Sequence, residues 1–268
     1  MTVLAVIPAR LGATRLPRKP LRLLGGLPLV VRVHQRVVRL GVADACVVAT
    51  DHAEVLAACA DHGVPAVLTG DTHPSGTDRV AEVAERTEYL GYDVILNVQG
   101  DEPFVSADAL AGAVEIVVAG RAPIGTAAVL APPEVLQRPD VVKVVRRDDG
   151  TALYFSRAPI PFLRDASDVA VRDPQVRQHV GVYAYTRAAL RQWVRWSPHP
   201  LELVERLEQL RPLAHGLAIG VADAAAVESG IDTEDDLLRA NARWAELHAP
   251  ATSSPDLKGY MTSTQGTA

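Results

Sequence analysis

Arg10, Arg15, Arg18 and Lys19 fall in one short run, PARLGATRLPRKPL (residues 8–21), punctuated by Pro8, Pro17 and Pro20. Guanidinium groups grip phosphate through forked hydrogen bonds and an ammonium acts as a mobile point charge, so such a loop can clamp a triphosphate. A solvated basic loop has the same composition, but prolines that fix its backbone favour a built anion site. A second group lies in VILNVQGDEPF (residues 94–104), where an apolar run ends on Asp101 and Glu102. Mg²⁺ takes one or two protein oxygens and completes its shell with phosphates and water, so one carboxylate here suits a metal held against a nucleotide. The same Asp-Glu-Pro order also fits a turn or a helix N-cap, and the residues alone leave both uses open. HPSGTDR (residues 73–79) sets small residues, hydroxyls and Arg79 ahead of a helical stretch; it can read a base or simply cap that helix.

These groups need elements to carry them. VLAVI (3–7), ACVVAT (45–50), AVL (66–68) and DVILNVQ (93–99) read as strands, alternating with helical stretches at 29–40, 53–62 and 77–89 that are followed by Gly41, Gly63 and Gly91. That alternation predicts βαβ units and a parallel sheet, which puts the basic loop at the C-terminal end of the first strand, where open α/β sheets bind ligands. Further strands are expected at 124–129, 141–146, 180–185 and 218–221, and helices at 107–119, 186–196, 201–210 and 233–247, the last opening on an acidic cluster suited to a helix N-terminus. We expect one domain over residues 1–249. Residues 250–268, rich in Ser, Thr, Pro and Gly, read as a disordered tail.

Composition narrows the function. Of 268 residues, 48% are apolar and 22% charged, which predicts a packed core, and a net charge of -5 gives no general pull toward nucleic acid or anionic membrane. Cys46 and Cys59 lack both metal-ligand spacing and a disulfide pattern, and no run reaches the roughly 20 apolar residues of a membrane helix; the cytoplasm is the expected location.

With the three loops in order, the chain resembles the 3-deoxy-manno-octulosonate (KDO) cytidylyltransferases over residues 2–247. Beyond the motifs above, the likeness rests on ATDH (49–52), VVKVV (141–145), ALYFSRAPIP (152–161), HVGVYAYTR (179–187), LELVERLEQLR (201–211) and GIDTEDDL (230–237). The resemblance implies a Rossmann-like, glycosyltransferase-A type α/β fold with a mixed central sheet, working as a homodimer, with a sugar-binding and dimerisation part at about residues 150–215. It implies transfer of CMP from CTP to KDO with release of pyrophosphate, a step that activates the sugar for lipopolysaccharide biosynthesis. By similarity Arg10 and Lys19, with Arg15, hold the triphosphate; Ser75, Gly76, Arg79 and Gln99 surround the cytidine; Asp101 and Asp232 hold Mg²⁺. Arg157, His179, Tyr183, Tyr185, Glu208 and Gln209 fall in the segments that resemble the sugar pocket. The sequence departs from the family at Ala13, where Ser is usual, at Arg18, where a small or uncharged residue is usual, and at Asp78, a shortened glutamate position expected to orient Arg79.

On this reading the sugar's anomeric 2-hydroxyl attacks the α-phosphorus in line with the leaving pyrophosphate, and the enzyme supplies positioning and charge neutralisation. The sugar carboxylate requires a cation, for which the fork of Arg157 fits best, although an interface salt bridge would use the same residue. Two alternatives stay open: a cytidylyltransferase for another acidic sugar such as sialic acid or 8-amino-KDO, and a non-catalytic nucleotide-binding protein on the same fold.

Overall fold

The computed structural model describes residues 1–12, 15–228 and 230–248; Ala13 and the expected tail lie outside the described residues. The chain opens with β1 (Val3–Pro8) and, after the basic loop, makes a short hairpin of β2 (Leu23–Leu24) and β3 (Leu27–Pro28). There follow α1 (Leu29–Leu40), β4 (Ala45–Thr50), α2 (Ala53–Asp61), β5 (Ala66–Leu68), α3 (Gly76–Ala84) and β6 (Val94–Asn97). Next come α4 (Ala107–Val118), β7 (Ile124–Leu130), β8 (Lys143–Arg146), β9 (Ala152–Ser156), α5 (Val169–Arg172) and β10 (Arg177–Thr186). The remainder is α6 (Arg187–Arg195), α7 (Pro200–Glu205), α8 (Leu210–Ala214), β11 (Ile219–Ala224) and α9 (Glu234–Leu247).

The strands lie in the order β11-β7-β10-β6-β1-β4-β5. β1 pairs in parallel with β4 and β6, β4 with β5, and β11 with β7, while β10 runs antiparallel between β6 and β7. The sheet is therefore mixed, as the resemblance implied. β1 is apolar at every interior position because both of its faces are covered: Ala5 and Ile7 pack with α1, α4 and α9, whereas Leu4 and Val6 pack with α3 and α6.

The helix expected over 77–89 ends at Ala84, and two larger differences bear on the cleft. The helix expected over 201–210 is broken into α7 and α8 by Arg206, which adopts φ 55 and ψ 47. The pieces are clamped by a buried fork, Arg211 Nε and NH2 to the two Glu202 oxygens at 2.7 and 2.5 Å. ALYFS, noted only as a motif, forms β9 and pairs with β8, which in turn touches β10 at Gln178. The break and the added strands shape one side of the cleft described next.

Candidate active site

Three loops meet at the C-terminal ends of β1 and β6. Leu16, only 1% exposed, and buried Pro20 pin the basic loop, so that Lys19, at the start of a short 3₁₀ turn, projects inward. Arg18 adopts a left-handed conformation and turns out of the cleft to pair with Glu54 on α2. After β6, Gly100 passes so close to β1 that a Cβ there would sit 2.8 Å from the Pro8 carbonyl oxygen; only glycine allows this approach, which carries Asp101 to the basic loop. The loop before α9 completes the set: Ile231 N–H donates to the Asp101 carbonyl at 2.9 Å, and a Thr233/Asp236 capping box fixes the turn that holds Asp232.

At the junction, Lys19 Nζ lies 2.5 Å from Asp101 Oδ2 and 2.8 Å from Asp232 Oδ1, and Arg15 NH2 lies 3.0 Å from Asp232 Oδ2. Partial burial works against the Lys19 ammonium, but Asp101 and then Asp232 outweigh it and hold its pKa above the ordinary lysine value. Two carboxylate oxygens thus converge on a single cationic point. This donor set of hard oxygens, open on one side to a cleft lined by Arg10, Arg15 and Gln99, fits a divalent ion shared with phosphates. Glu102, beside them, was not assigned from sequence; burial first, and the Asp101 charge second, push its carboxyl up to about 8, with Lys19 opposing. Its signal lay in the Asp-Glu pair itself, of which sequence reasoning used only one member.

Arg15, Gln99, Asp101 and Asp232 also border an adjoining cavity of about 600 Å³, which extends to Gly76, Arg157, His179, Tyr183, Glu208 and Gln209. Its walls are mostly polar. Glu208 accepts from Thr77 Oγ at 2.8 Å, and burial raises its pKa against the opposing pull of Thr77, Ser75 and Arg211. Among the described residues, the buried Tyr183 hydroxyl and Asn97 Oδ1 have no protein partner, and both residues border this cavity. Unmet buried polar groups beside a cavity suit a ligand rich in hydroxyls.

Three expected site residues are placed elsewhere. Arg79, 3% exposed, commits its guanidinium to Asp51 Oδ2 at 2.9 Å, the Thr69 hydroxyl and the Gly70 carbonyl, so it braces the loop walls and borders neither cavity. Ser75 is the N-cap of α3 and bonds Asp78, which therefore does not orient Arg79; the partner of Arg79 is Asp51. Tyr185 is fully buried in the core against Trp193 and Tyr183. Sequence spacing could not separate Tyr183 from Tyr185, because alternate residues of one strand share a face.

His179 borders the cavity, with Nε2 3.0 Å from Thr126 Oγ and its ring against Phe155 and Tyr183. Burial pushes its pKa from 6.5 down to about 3. Between those values the unfolded chain binds a proton that the folded chain refuses, so this residue removes stability as pH falls through that window. His179→Gln, neutral throughout, is expected to make the acid limb of the stability profile shallower. Thermal melts across the window check this, and an unchanged limb would show that the ring is protonated freely in the folded state.

A doubly covered α/β sheet with a cation-and-carboxylate cleft at the strand ends defines a nucleotide-dependent group transferase. The cytidylyltransferase family profile matches residues 4–219. The 3-deoxy-manno-octulosonate cytidylyltransferase of Gemmatimonas aurantiaca is 74% identical over 254 residues, covering 95% of this chain and 98% of that protein. The protein of the same name from Polynucleobacter asymbioticus is 45% identical over 239 residues, covering 88% and 93%. A solved structure of CMP:2-keto-3-deoxy-manno-octonic acid synthetase complexed with CTP superposes with a TM-score of 0.85 at 33% identity, covering 92% of this chain and all of that one. A cytidylyltransferase from Leptospira borgpetersenii, at TM-score 0.55 and 16% identity, shares the fold. The chain belongs to the 3-deoxy-manno-octulosonate cytidylyltransferase family.

Proposed function

We propose that the chain transfers CMP from CTP to the anomeric 2-hydroxyl of 3-deoxy-manno-octulosonate, giving CMP-KDO and pyrophosphate and so activating the sugar for lipopolysaccharide biosynthesis. The observation that carries this reading is the convergence of Lys19, Asp101 and Asp232 at the mouth of a second, polar cavity lined by Arg157, Glu208 and Gln209. Arg10, Arg15 and Lys19 grip the triphosphate, and Gly76 and Gln99 face the cytidine. Asp101 and Asp232 are the residues to hold Mg²⁺. When bound, the ion lowers the pKa of the attacking hydroxyl and neutralises charge on the α-phosphate. Lys19 is held between the two carboxylates, and its ammonium would have to give up these contacts for both oxygens to hold the ion. Arg157 faces the sugar carboxylate, and neutral His179 can exchange hydrogen bonds with sugar hydroxyls without adding charge.

The protein is proposed to act as a homodimer in the cytoplasm. Phe162 and Val204, 79% and 82% exposed, belong to segments tied together where Arg157 Nε donates to the Glu205 carbonyl, and such apolar exposure suits a subunit contact. The cysteines are free, which suits a reducing compartment, and among the described residues no helix is long and apolar enough to cross a membrane.

The deciding experiment is pyrophosphate release with each of the four nucleoside triphosphates crossed with KDO, 8-amino-KDO and sialic acid. Release with CTP and KDO is expected to exceed every other pair. A higher rate with 8-amino-KDO or sialic acid would reassign the sugar, and nucleotide binding without any release would make the protein non-catalytic.

A further inference from the structure

Lys143, on β8, has none of its surface exposed to solvent. An ammonium taken out of water is costly unless its N–H groups are met. Here its donors go to the carbonyls of Val141 at 2.7 Å, Arg138 at 2.9 Å and Arg157 at 2.5 Å, and among the described residues no carboxylate bonds it. These carbonyls belong to two separate stretches of chain. One carries Arg138, Asp140 and Val142, which line the cleft beside His179; the other carries Arg157. The Arg157 side chain closes the loop between them, with NH1 donating to the Pro139 carbonyl at 3.0 Å and Nε to the Glu205 carbonyl at 2.8 Å. On the far side, Glu205 Oε2 accepts from the Arg157 backbone N–H at 2.9 Å, and Oε1 accepts from Ser156 Oγ at 2.6 Å. Arg157 is thus gripped at its carbonyl by Lys143 and at its N–H by Glu205. Core packing alone does not select a lysine here, because an apolar side chain would fill the same space without a desolvated charge. A group that must meet a ligand in fixed geometry loses much of its effect when its anchor shifts by about 1 Å.

We propose that Lys143 is a positioning residue for sugar recognition: its ammonium locks the Arg138, Val141 and Arg157 carbonyls so that the Arg157 guanidinium is held ready for the carboxylate of an acidic sugar. The proposal rests on the reading of Arg157 as the carboxylate partner. Lys143→Met, compared with wild type in fold, molecular mass and both KM values, is expected to raise the KM for KDO about tenfold or more while the KM for CTP stays within about twofold. In the double variant with Arg157→Ala, the KDO KM should match that of Arg157→Ala alone, since Lys143 acts only through that residue. Lys143→Gln, which retains two N–H donors, carries the same test with a smaller rise should the methionine variant not fold. A folded Lys143→Met with an unchanged KDO KM, both KM values rising together, or effects that multiply in the double variant would each overturn the proposal. So would loss of the fold in both substitutions, which would make the residue structural. An unchanged KDO KM in Arg157→Ala instead removes the carboxylate partner itself, so the two failures are distinct.

Discussion

Asp101→Asn and Asp232→Asn are each expected to lower kcat by about 10²- to 10³-fold or more, with much smaller changes in KM for CTP. Both side chains meet the same cationic point, so each supplies one of the two anionic oxygens that would hold Mg²⁺ against the phosphates. Asparagine keeps the shape and removes the charge. Because the two carboxylates act together, the double variant should be scarcely slower than either single one. The measurement is pyrophosphate release at saturating CTP and KDO over a Mg²⁺ titration. Asp232 also donates its backbone N–H to Asp236 Oδ2 at 3.1 Å, within the cap of α9, and that role survives in asparagine. Wild-type turnover in Asp232→Asn would therefore leave this residue a helix-capping element and nothing more. Lys19→Met supplies a further arm: removing the competing ammonium should lower the Mg²⁺ needed for half-activity even while CTP is used less well.

Arg157→Ala is expected to raise the KM for KDO about thirtyfold or more, the equivalent of roughly 2 kcal/mol or above for a buried charge left without its partner. Of the five guanidinium N–H groups, Nε and one on NH1 are spent on the Glu205 and Pro139 carbonyls, which leaves one on NH1 and both on NH2 for a carboxylate. A forked contact across the outer edge therefore remains available. Arg157→Lys keeps the charge but loses the fork and should recover only part of the affinity. The CTP KM should hardly change, because Arg157 borders the polar cavity and not the phosphate cleft around Arg10 and Lys19. If the residue serves a subunit contact instead, the variant will lose dimer mass and weaken both substrates together. A dimeric Arg157→Ala protein with an unchanged KDO KM would exclude it from the site.

The early strands and helices were legible because each carries its own signal, β-branched runs closed by glycine or proline, and the observed bounds of β4, β5 and α1 coincide with those read from sequence. The charged loops were legible for a related reason: their side chains stand close in sequence and act near where they sit. What escaped depended on partners far along the chain. Arg79 was expected beside the cytidine with Asp78 to orient it, but Asp51, 28 residues away, holds it. The break at Arg206 left no trace, since a left-handed turn at a residue other than glycine has no compositional mark and the apolar spacing of LELVERLEQL reads as one helix. The break has a use, for it turns Glu208 and Gln209 to the cavity. Lys143 was visible only as the middle of VVKVV, where nothing local says that a charge is meant to be buried.

The cluster joins an early loop to a late one, for Lys19 reaches Asp232 across 213 positions of sequence. The docking of α9 that brings them together is itself anchored on the first hairpin: Asn241 bonds the Leu23 carbonyl and the Gly25 N–H, and Trp244 packs so tightly on Gly25 that a Cβ there would lie 2.3 Å from the indole. Folding during synthesis proceeds from the N-terminus, so the phosphate loop and β6 can form while the last fifty or so residues are still being added. During that interval the growing protein has Lys19 and Asp101 in place but lacks Asp232. The contact that closes the cluster, Lys19 to Asp232, can form only once the last helix has seated against the opening hairpin.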